Sequence, residues 1–124
     1  MRATRQRDTP AELAIRSALH RQGFRYRVDA VVLDRRRADI VFHREMVAVF
    51  VDGCFWHGCP VHGTLPKTNR DWWREKLAGN CERDRDTDWR LRRRGWTVLR
   101  FWAHEEPRLA AKRIAGILRA KREG

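Results

Sequence analysis

The 124-residue sequence has no apolar run of the roughly 18 residues that a membrane span needs, and its N-terminus lacks the apolar segment of a signal peptide. Cysteine is scarce and odd in number, with three residues, which argues against a disulfide framework. These absences exclude a membrane-spanning protein and a disulfide-rich secreted one. Because 42% of the residues are hydrophobic, a disordered tail is excluded as well, and we expect one cytoplasmic domain over residues 1–124.

Negative charge is also in short supply. Sixteen acidic residues face 28 basic ones, a net charge of +12, and 24 of the basic residues are arginines. A GC-rich genome explains a high ratio of arginine to lysine, but it does not explain the net charge. Because the guanidinium group binds phosphates bidentately and stacks on bases, this composition favours a nucleic-acid partner. The six tryptophans add flat rings suited to base stacking.

Hydrophobic periodicity predicts seven elements in the order α-β-β-β-α-β-α. The first helix has Thr9 as its N-cap and Glu12 in its first turn, and it ends at Gly23. Two further helices are predicted over about 70–94 and 108–122, and the strands over 26–33, 38–42, 46–51 and 96–102. This order indicates an α/β domain in which a mixed sheet is flanked by helices.

The irregular segment 53–69 is rich in glycine, cysteine and histidine, and it is too long to be ordered by a core of its own. Two thiols and an imidazole occur in it at the spacing Cys54-x4-Cys59-x2-His62. Zinc binds four such ligands tetrahedrally, and closing that site would order the segment. We therefore predict a structural zinc that staples this loop, the alternative being two ordinary buried cysteines and a surface histidine.

The fourth zinc ligand has two candidates. His104 lies just beyond the last predicted strand. Cys81 is the better ligand chemically, but its helical spacing with Leu77 favours a small core thiol. We predict His104 and keep Cys81 as the alternative.

A second group of residues is acidic. Asp39 lies inside one predicted strand and Asp52 ends the next, so adjacent strand ends bring the two carboxylates together. Two hard oxygen ligands suit Mg²⁺, which would polarise a phosphoryl oxygen and activate water. Glu12 is a candidate third acid and His57 a candidate proton relay. Each acid also has a structural explanation: a capping box, an Asp-Gly turn, or an ion pair with one of the arginines at 35–37.

These residues fall in a motif string, VFVDGCFWHGCPVH over 49–62, followed by PKTN over 66–69. The further matching positions are Trp72, Trp73, Lys76, Asn80, Arg83, Asp84, Gly95, Trp96 and Trp102. Over nearly residues 5–104 the chain resembles the very-short-patch repair (Vsr-type) DNA mismatch endonucleases. The resemblance implies a restriction-endonuclease-like fold that uses Mg²⁺ and a structural zinc.

The implied reaction is a nick in double-stranded DNA 5′ to the T of a T·G mismatch, the lesion left by deamination of 5-methylcytosine. We expect the protein to act as a monomer, associated with the nucleoid, with mismatch-repair factors as further partners.

The resemblance also implies roles for particular residues. Asp39 matches the catalytic metal-binding aspartate, and Val51 falls where a main-chain carbonyl is a metal ligand. His57 matches the general base or proton relay, and Glu12 matches an acid near it. Asp52 stands where well-known members have a second active-site histidine, which leaves it a candidate metal ligand or proton relay.

The remaining roles concern zinc and DNA. The zinc positions fall on or near Cys54, Cys59, His62 and His104. The aromatic residues implied to wedge into the DNA stack are Phe55, Trp56 and Trp73. Further DNA contacts are expected from Lys67, Asn69, Asn80 and Arg83.

Two other functions fit the same composition. One is a zinc-stapled module that binds distorted duplex without cutting it, and the other is a nickase of broader mismatch specificity. Asp39 together with His57 and Asp52 favours an enzyme, because a binding module needs none of the three.

Overall fold

A computed structural model describes residues 10–52 and 68–123. The elements follow the predicted order. The helices are α1 (Pro10–Arg21), α2 (Arg70–Arg93) and α3 (Pro107–Glu123), and the strands are β1 (Arg27–Leu33), β2 (Arg36–Phe42), β3 (Val47–Asp52) and β4 (Thr97–Trp102). Within these two ranges, no helix is long and apolar enough to cross a membrane.

The four strands form one sheet in the order β1-β2-β3-β4. The pairs β1–β2 and β2–β3 are antiparallel, whereas β4 lies parallel to β3. Parallel neighbours need a crossover connection, and here the connection between β3 and β4 includes α2. The predicted mixed sheet flanked by helices is confirmed. The predicted zinc-stapled loop falls on 53–67, outside the described residues.

The end of helix α2 is followed by a glycine, Gly95, as the sequence predicts. Gly95 has a φ of +91°, a conformation that strains any residue with a side chain. Its N–H donates to the carbonyl of Arg92 at 3.0 Å, and the N–H of Trp96 donates to the carbonyl of Leu91 at 3.0 Å. This closing motif satisfies carbonyls at the end of the helix and leads the chain directly into β4.

Helices α1 and α3 pack on one face of the sheet. Their core consists of buried apolar residues from both helices and three strands, chiefly Ile15, Leu19, Ile40, Phe42, Val47, Val49, Leu99, Phe101, Ile114 and Leu118. Strand β3 is buried on both faces, as its continuous apolar sequence predicts. It is therefore the rigid centre from which the residues at its end are presented.

Helix α2 covers the other face with a smaller apolar contact. Leu91 is its fully buried apolar residue, and it packs with Leu33, Ala38, Val41, Ala48, Phe50 and Val98. The other buried side chains of this 24-residue helix are polar, those of Asn80 and Thr87. The predicted apolar face of α2 is only half-buried, at Trp73, Leu77 and Cys81. Polar contacts therefore contribute much of the attachment of α2 to the sheet.

Candidate active site

Asp39 lies where β2 and β3 stop pairing. The ladder between these strands runs from Phe42 opposite Val47 to Ile40 opposite Val49 and goes no further. At the next position the Asp39 carboxylate, buried to 4% exposure, accepts a hydrogen bond from the backbone N–H of Val51 at 2.6 Å. The Asp39 side chain thus accepts the hydrogen bond that a neighbouring strand would otherwise accept from Val51, and this bond fixes the carboxylate in place.

The carbonyl of Val51 faces the same side of β3 as Asp39. The carbonyl of Asp52 accepts a hydrogen bond from the N–H of Ala103 at 2.9 Å, so the backbone of Asp52 faces β4. Backbone groups of successive strand residues point to opposite sides, and both groups of one residue point to the same side. The backbone of Val51 therefore faces β2, where its N–H meets Asp39. A carboxylate and a carbonyl at one place form a donor set that fits a hard cation such as Mg²⁺.

Asp52 is held by Arg100 of β4. Its side chain is buried, and both carboxylate oxygens lie 3.1 Å from Nη1 of Arg100. The rest of that guanidinium faces α2. Its Nε lies 2.9 Å from both oxygens of Asp88, and its Nη2 donates to Asp88 at 2.7 Å. Its Nη1 also lies 3.7 Å from the Asp84 carboxylate.

The environment of Arg100 keeps it charged. Burial alone would lower the pKa of Arg100, but hydrogen bonding to Asp88 and the charges of Asp52 and Asp84 raise it above the ordinary value. The guanidinium also lies 4.2 Å from the ring centre of Phe50, a cation–π contact. A permanent cation therefore lies against the carboxylate of Asp52.

Glu12 is buried to 2% exposure on α1 and pairs with Arg16 one turn later. The backbone carbonyl of Arg16 in turn accepts the hydroxyl of Tyr26 at 3.0 Å. Glu12, the predicted third acid, is thus a buried carboxylate that forms an ion pair with Arg16. His57, its expected partner, lies outside the described residues.

Both candidates for the fourth zinc ligand lie near the end of β3. His104 is exposed and follows Ala103, the residue bonded to Asp52. Cys81 is half-buried on α2, where burial and the charges of Asp84 and Asp52 raise the pKa of its thiol. The three loop ligands, Cys54, Cys59 and His62, lie outside the described residues. In 10–52 and 68–123 no group of three or more histidine, cysteine or acidic side chains is arranged to hold a metal ion.

The predicted DNA contacts within the described residues lie on α2 or at its start. Asn69 precedes the helix in a left-handed conformation, and its carbonyl accepts the N–H of Trp73 at 3.1 Å. Trp73 is half-buried, Arg83 is exposed, and Asn80 is buried to 4% exposure. The other predicted DNA contacts, Lys67, Phe55 and Trp56, lie outside the described residues.

The sequence reasoning gave no role to two residues, Trp72 and Arg100. Trp72 is 54% exposed and meets Trp73 edge to face, with ring centres 4.7 Å apart. Arg100 contacts three carboxylates, those of Asp52, Asp84 and Asp88. The sequence held one indication of this role, because Arg100 is the single charged residue in the strand sequence TVLRFW. The four-residue spacing of Asp84 and Asp88 places both on one face of α2.

The chain matches a known protein family and several known proteins. The family model of the DNA mismatch endonuclease Vsr matches residues 1–62. The chain is 49% identical over 110 residues to the type II nicking enzyme V.NaeI of Lentzea aerocolonigenes, covering 86% of this chain and 66% of that protein. It is 39% identical over 113 residues to the type II nicking enzyme V.XorIIP of Xanthomonas oryzae pv. oryzae, covering 90% of this chain and 82% of that protein.

A third relative carries the family's own name. The DNA mismatch endonuclease Vsr of Escherichia coli K12 is 39% identical over 104 residues, which cover 82% of this chain and 65% of that protein. The matched segments thus span about two thirds to four fifths of these relatives. From the family match and these identities, the chain belongs to the Vsr family of DNA mismatch endonucleases and is an endonuclease.

Proposed function

We propose that this endonuclease nicks one strand of double-stranded DNA 5′ to the T of a T·G mismatch, and that it depends on Mg²⁺. The observation that carries the proposal is the juxtaposition of the Asp39 carboxylate and the Val51 backbone where β2 and β3 separate. A buried carboxylate fixed by a backbone N–H is preorganised for a cation, because no side-chain freedom is lost when the ion binds. A DNA-binding module has no need of such a group.

Asp39 and the carbonyl of Val51 would hold the Mg²⁺ ion. When bound, that ion supplies the positive charge that polarises a phosphoryl oxygen and lowers the pKa of water. The chain's own part is to hold the Asp39 carboxylate in a fixed orientation, which the hydrogen bond from the N–H of Val51 does. His57, five residues beyond Asp52, is our candidate for the group that accepts a proton from the attacking water.

DNA is proposed to bind along α2 and the loop that precedes it. The net charge of +12 attracts phosphates from any direction, so it supplies affinity without sequence information. The exposed Trp72 and the half-buried Trp73 offer aromatic surface at the start of α2. Phe55 and Trp56 are proposed to insert beside the mismatched pair, where unstacking costs least.

A structural zinc is the second proposed metal. Cys54, Cys59 and His62 would supply three ligands, and His104 or Cys81 the fourth. Both candidates lie near the end of β3, which is two residues before Cys54 in the chain. Four nitrogen or sulphur ligands leave no open position, so this zinc would order the loop and not contact the substrate.

A nick-mapping assay tests the proposed function. Labelled duplexes that carry each mismatch in turn, and a fully paired duplex, are incubated with the protein and either Mg²⁺ or EDTA. We expect one nick, 5′ to the T of the T·G duplex, only with Mg²⁺. Comparable cleavage at several mismatches would favour the broader nickase. Binding without cleavage in Mg²⁺ would favour the non-cutting module.

A further inference from the structure

We infer that Arg100 is a positioning residue that fixes the end of β3, and that Asp52 serves as its anchor and neither binds the catalytic metal nor carries the proton. The inference rests on the proposed function in one respect, because what Arg100 positions is the proposed metal site at Asp39 and Val51.

The guanidinium of Arg100 makes contacts on both of its edges. Nε and Nη2 form a two-point contact with Asp88 of α2, at 2.9 and 2.7 Å. Nη1 faces the two oxygens of Asp52 at equal distances of 3.1 Å. Arginine alone has donors in this planar arrangement, whereas a lysine ammonium is a point charge that cannot serve two carboxylates in this way.

The contact with Arg100 decides what the carboxylate of Asp52 can do. Both oxygens of Asp52 face the same cation, so a Mg²⁺ ion on either oxygen would lie close to the positive charge of Arg100. Asp84 and Asp88 share that guanidinium, so charge alone does not exclude a cation, but both oxygens of Asp52 already accept from Nη1, and a metal ion would have to compete with that contact. Because arginine does not lose its proton in proteins, it offers Asp52 no route for proton transfer. The contacts therefore suit Asp52 to an anchoring role.

The contact between Arg100 and Asp52 acts on the proposed metal site through the backbone. The carbonyl of Val51 and the N–H of Asp52 belong to one planar peptide group. On one side of this group the N–H of Val51 is bonded to Asp39. On the other side, the carboxylate of Asp52 accepts a hydrogen bond from Arg100, and the backbone carbonyl of Asp52 accepts one from the N–H of Ala103. Fixing Asp52 therefore fixes the direction of the Val51 carbonyl, the proposed metal ligand.

The same arginine also places α2, the helix that carries Trp72 and Trp73. Since Leu91 is its one fully buried apolar residue, α2 depends on polar contacts to the sheet. A second arginine makes a comparable contact: Arg36 of β2 donates to Asp86 at 2.7 Å and to Thr87 at 2.8 Å. Arg36 thus attaches the same helix to the sheet without contacting Asp52, which makes it a matched control.

The test compares Arg100→Met with Arg36→Met. Both replace an arginine that joins the sheet to α2 and remove one positive charge. Direct binding of Mn²⁺, followed by water-proton relaxation, is measured beside the Mg²⁺ dependence of single-turnover nicking and the melting temperature. We expect Arg100→Met to weaken Mn²⁺ binding about 10- to 100-fold, the usual effect of losing a residue that orients a metal ligand. Arg36→Met should lower the melting temperature but leave Mn²⁺ affinity within about threefold. Equal Mn²⁺ affinities in the two variants would overturn the inference.

Two isosteric variants cover the case in which Arg100→Met does not fold. Asp52→Asn should retain Mn²⁺ binding that Asp39→Asn loses, because the asparagine oxygen can still accept a hydrogen bond from Arg100 and keep the anchor. If both lose it, Asp52 is a ligand and the inference is wrong.

The double variant Asp52→Asn/Arg100→Met should bind Mn²⁺ no more weakly than Arg100→Met, because Asp52 then acts only through Arg100. Additive losses contradict this. Arg100→Lys should not restore the affinity, and full restoration by lysine would show that charge alone matters.

These readings separate the two proposals. Failure of the wild-type protein to nick any duplex would overturn the proposed function, whereas Mn²⁺ affinities still decide the role of Arg100. Conversely, normal nicking with an unchanged Mg²⁺ requirement in Arg100→Met would overturn only the inference about Arg100.

Discussion

The backbone N–H of Val51 donates to the carboxylate of Asp39 at 2.6 Å, across two strands that have just stopped pairing. A charge-assisted hydrogen bond of this kind holds the orientation of a buried carboxylate. The sheet therefore ends in a carboxylate of fixed orientation at the position where the Vsr family resemblance implies a metal. Its neighbour Asp52, in contrast, forms an ion pair with Arg100.

The first prediction is that Asp39→Asn reduces nicking at least about 100-fold, because preorganised electrostatic groups typically contribute that much to kcat. An asparagine keeps the shape and can still accept the hydrogen bond from Val51, so the fold and mismatch binding should be retained. Single-turnover nicking, gel-shift affinity and melting temperature measure the three quantities.

Asp34→Asn is the matched control for this change. Asp34 lies in the turn between β1 and β2 with its side chain 66% exposed, and its ion pair to Arg90 is long, at 3.6 Å. Its loss should leave nicking unaltered. Retained cleavage by Asp39→Asn at ordinary Mg²⁺ concentration would show that the metal site lies elsewhere.

Local patterns predicted the elements well. The stop at Gly95, the continuous burial of β3 and the order of helices and strands all follow from short stretches of sequence. Strand β2 begins at Arg36, two residues earlier than predicted, because its first residues pair with β1 despite their charge. That pairing depends on a neighbouring strand, which periodicity within one segment does not reveal.

The partner of Asp52 was not predictable in the same way. Asp52 and Arg100 are 48 residues apart, and their contact follows from the parallel register that places Asp52 beside Trp102. The sequence indicated that Asp39 and Asp52 come from adjacent strands, but not how each is held. Backbone groups of successive residues face opposite sides of a strand. The backbone of Val51 therefore forms its hydrogen bond toward β2, whereas the backbone of Asp52 forms its hydrogen bond toward β4.

The second prediction concerns salt. With a net charge of +12, the protein should neutralise several phosphates, and the logarithm of its DNA affinity should fall with the logarithm of salt concentration at about −0.9 per phosphate. About six phosphates would give a loss near 10³-fold between about 50 and 200 mM salt. Fluorescence anisotropy with paired and T·G duplexes checks this. A flat response on both would contradict a phosphate-based interface.

The third prediction concerns the structural zinc. Cys54→Ala should lower zinc content and melting temperature together, because a structural ion contributes directly to folding free energy. Elemental analysis of the purified protein and thermal denaturation give the two readings. A zinc-free wild-type protein that keeps full stability would contradict the prediction.

The fourth prediction identifies the last zinc ligand. We expect His104→Ala to release zinc because it removes the predicted fourth ligand. His104 is exposed beside the end of β3, so its substitution should cost little packing and leave the zinc content as the clear reading. Cys81→Ala should leave zinc bound and change stability slightly, as for a small half-buried thiol on α2. The reverse pattern in zinc content would assign the ligand to Cys81.

The last prediction concerns how a mismatch is recognised, and it contrasts tryptophans that differ in position. Trp56 is predicted to insert into the stack, so Trp56→Ala should weaken binding to T·G duplex by about 1–3 kcal/mol, the typical contribution of aromatic stacking on a base. The loss on paired duplex should be smaller, because unstacking costs least at a mismatch. Trp89→Ala is the control, since Trp89 is 58% exposed near the far end of α2 and lies under Arg93 with a separation of 4.7 Å. Equal losses on both duplexes for Trp56→Ala, or a collapse in its melting temperature, would show a generic contact or a core residue instead.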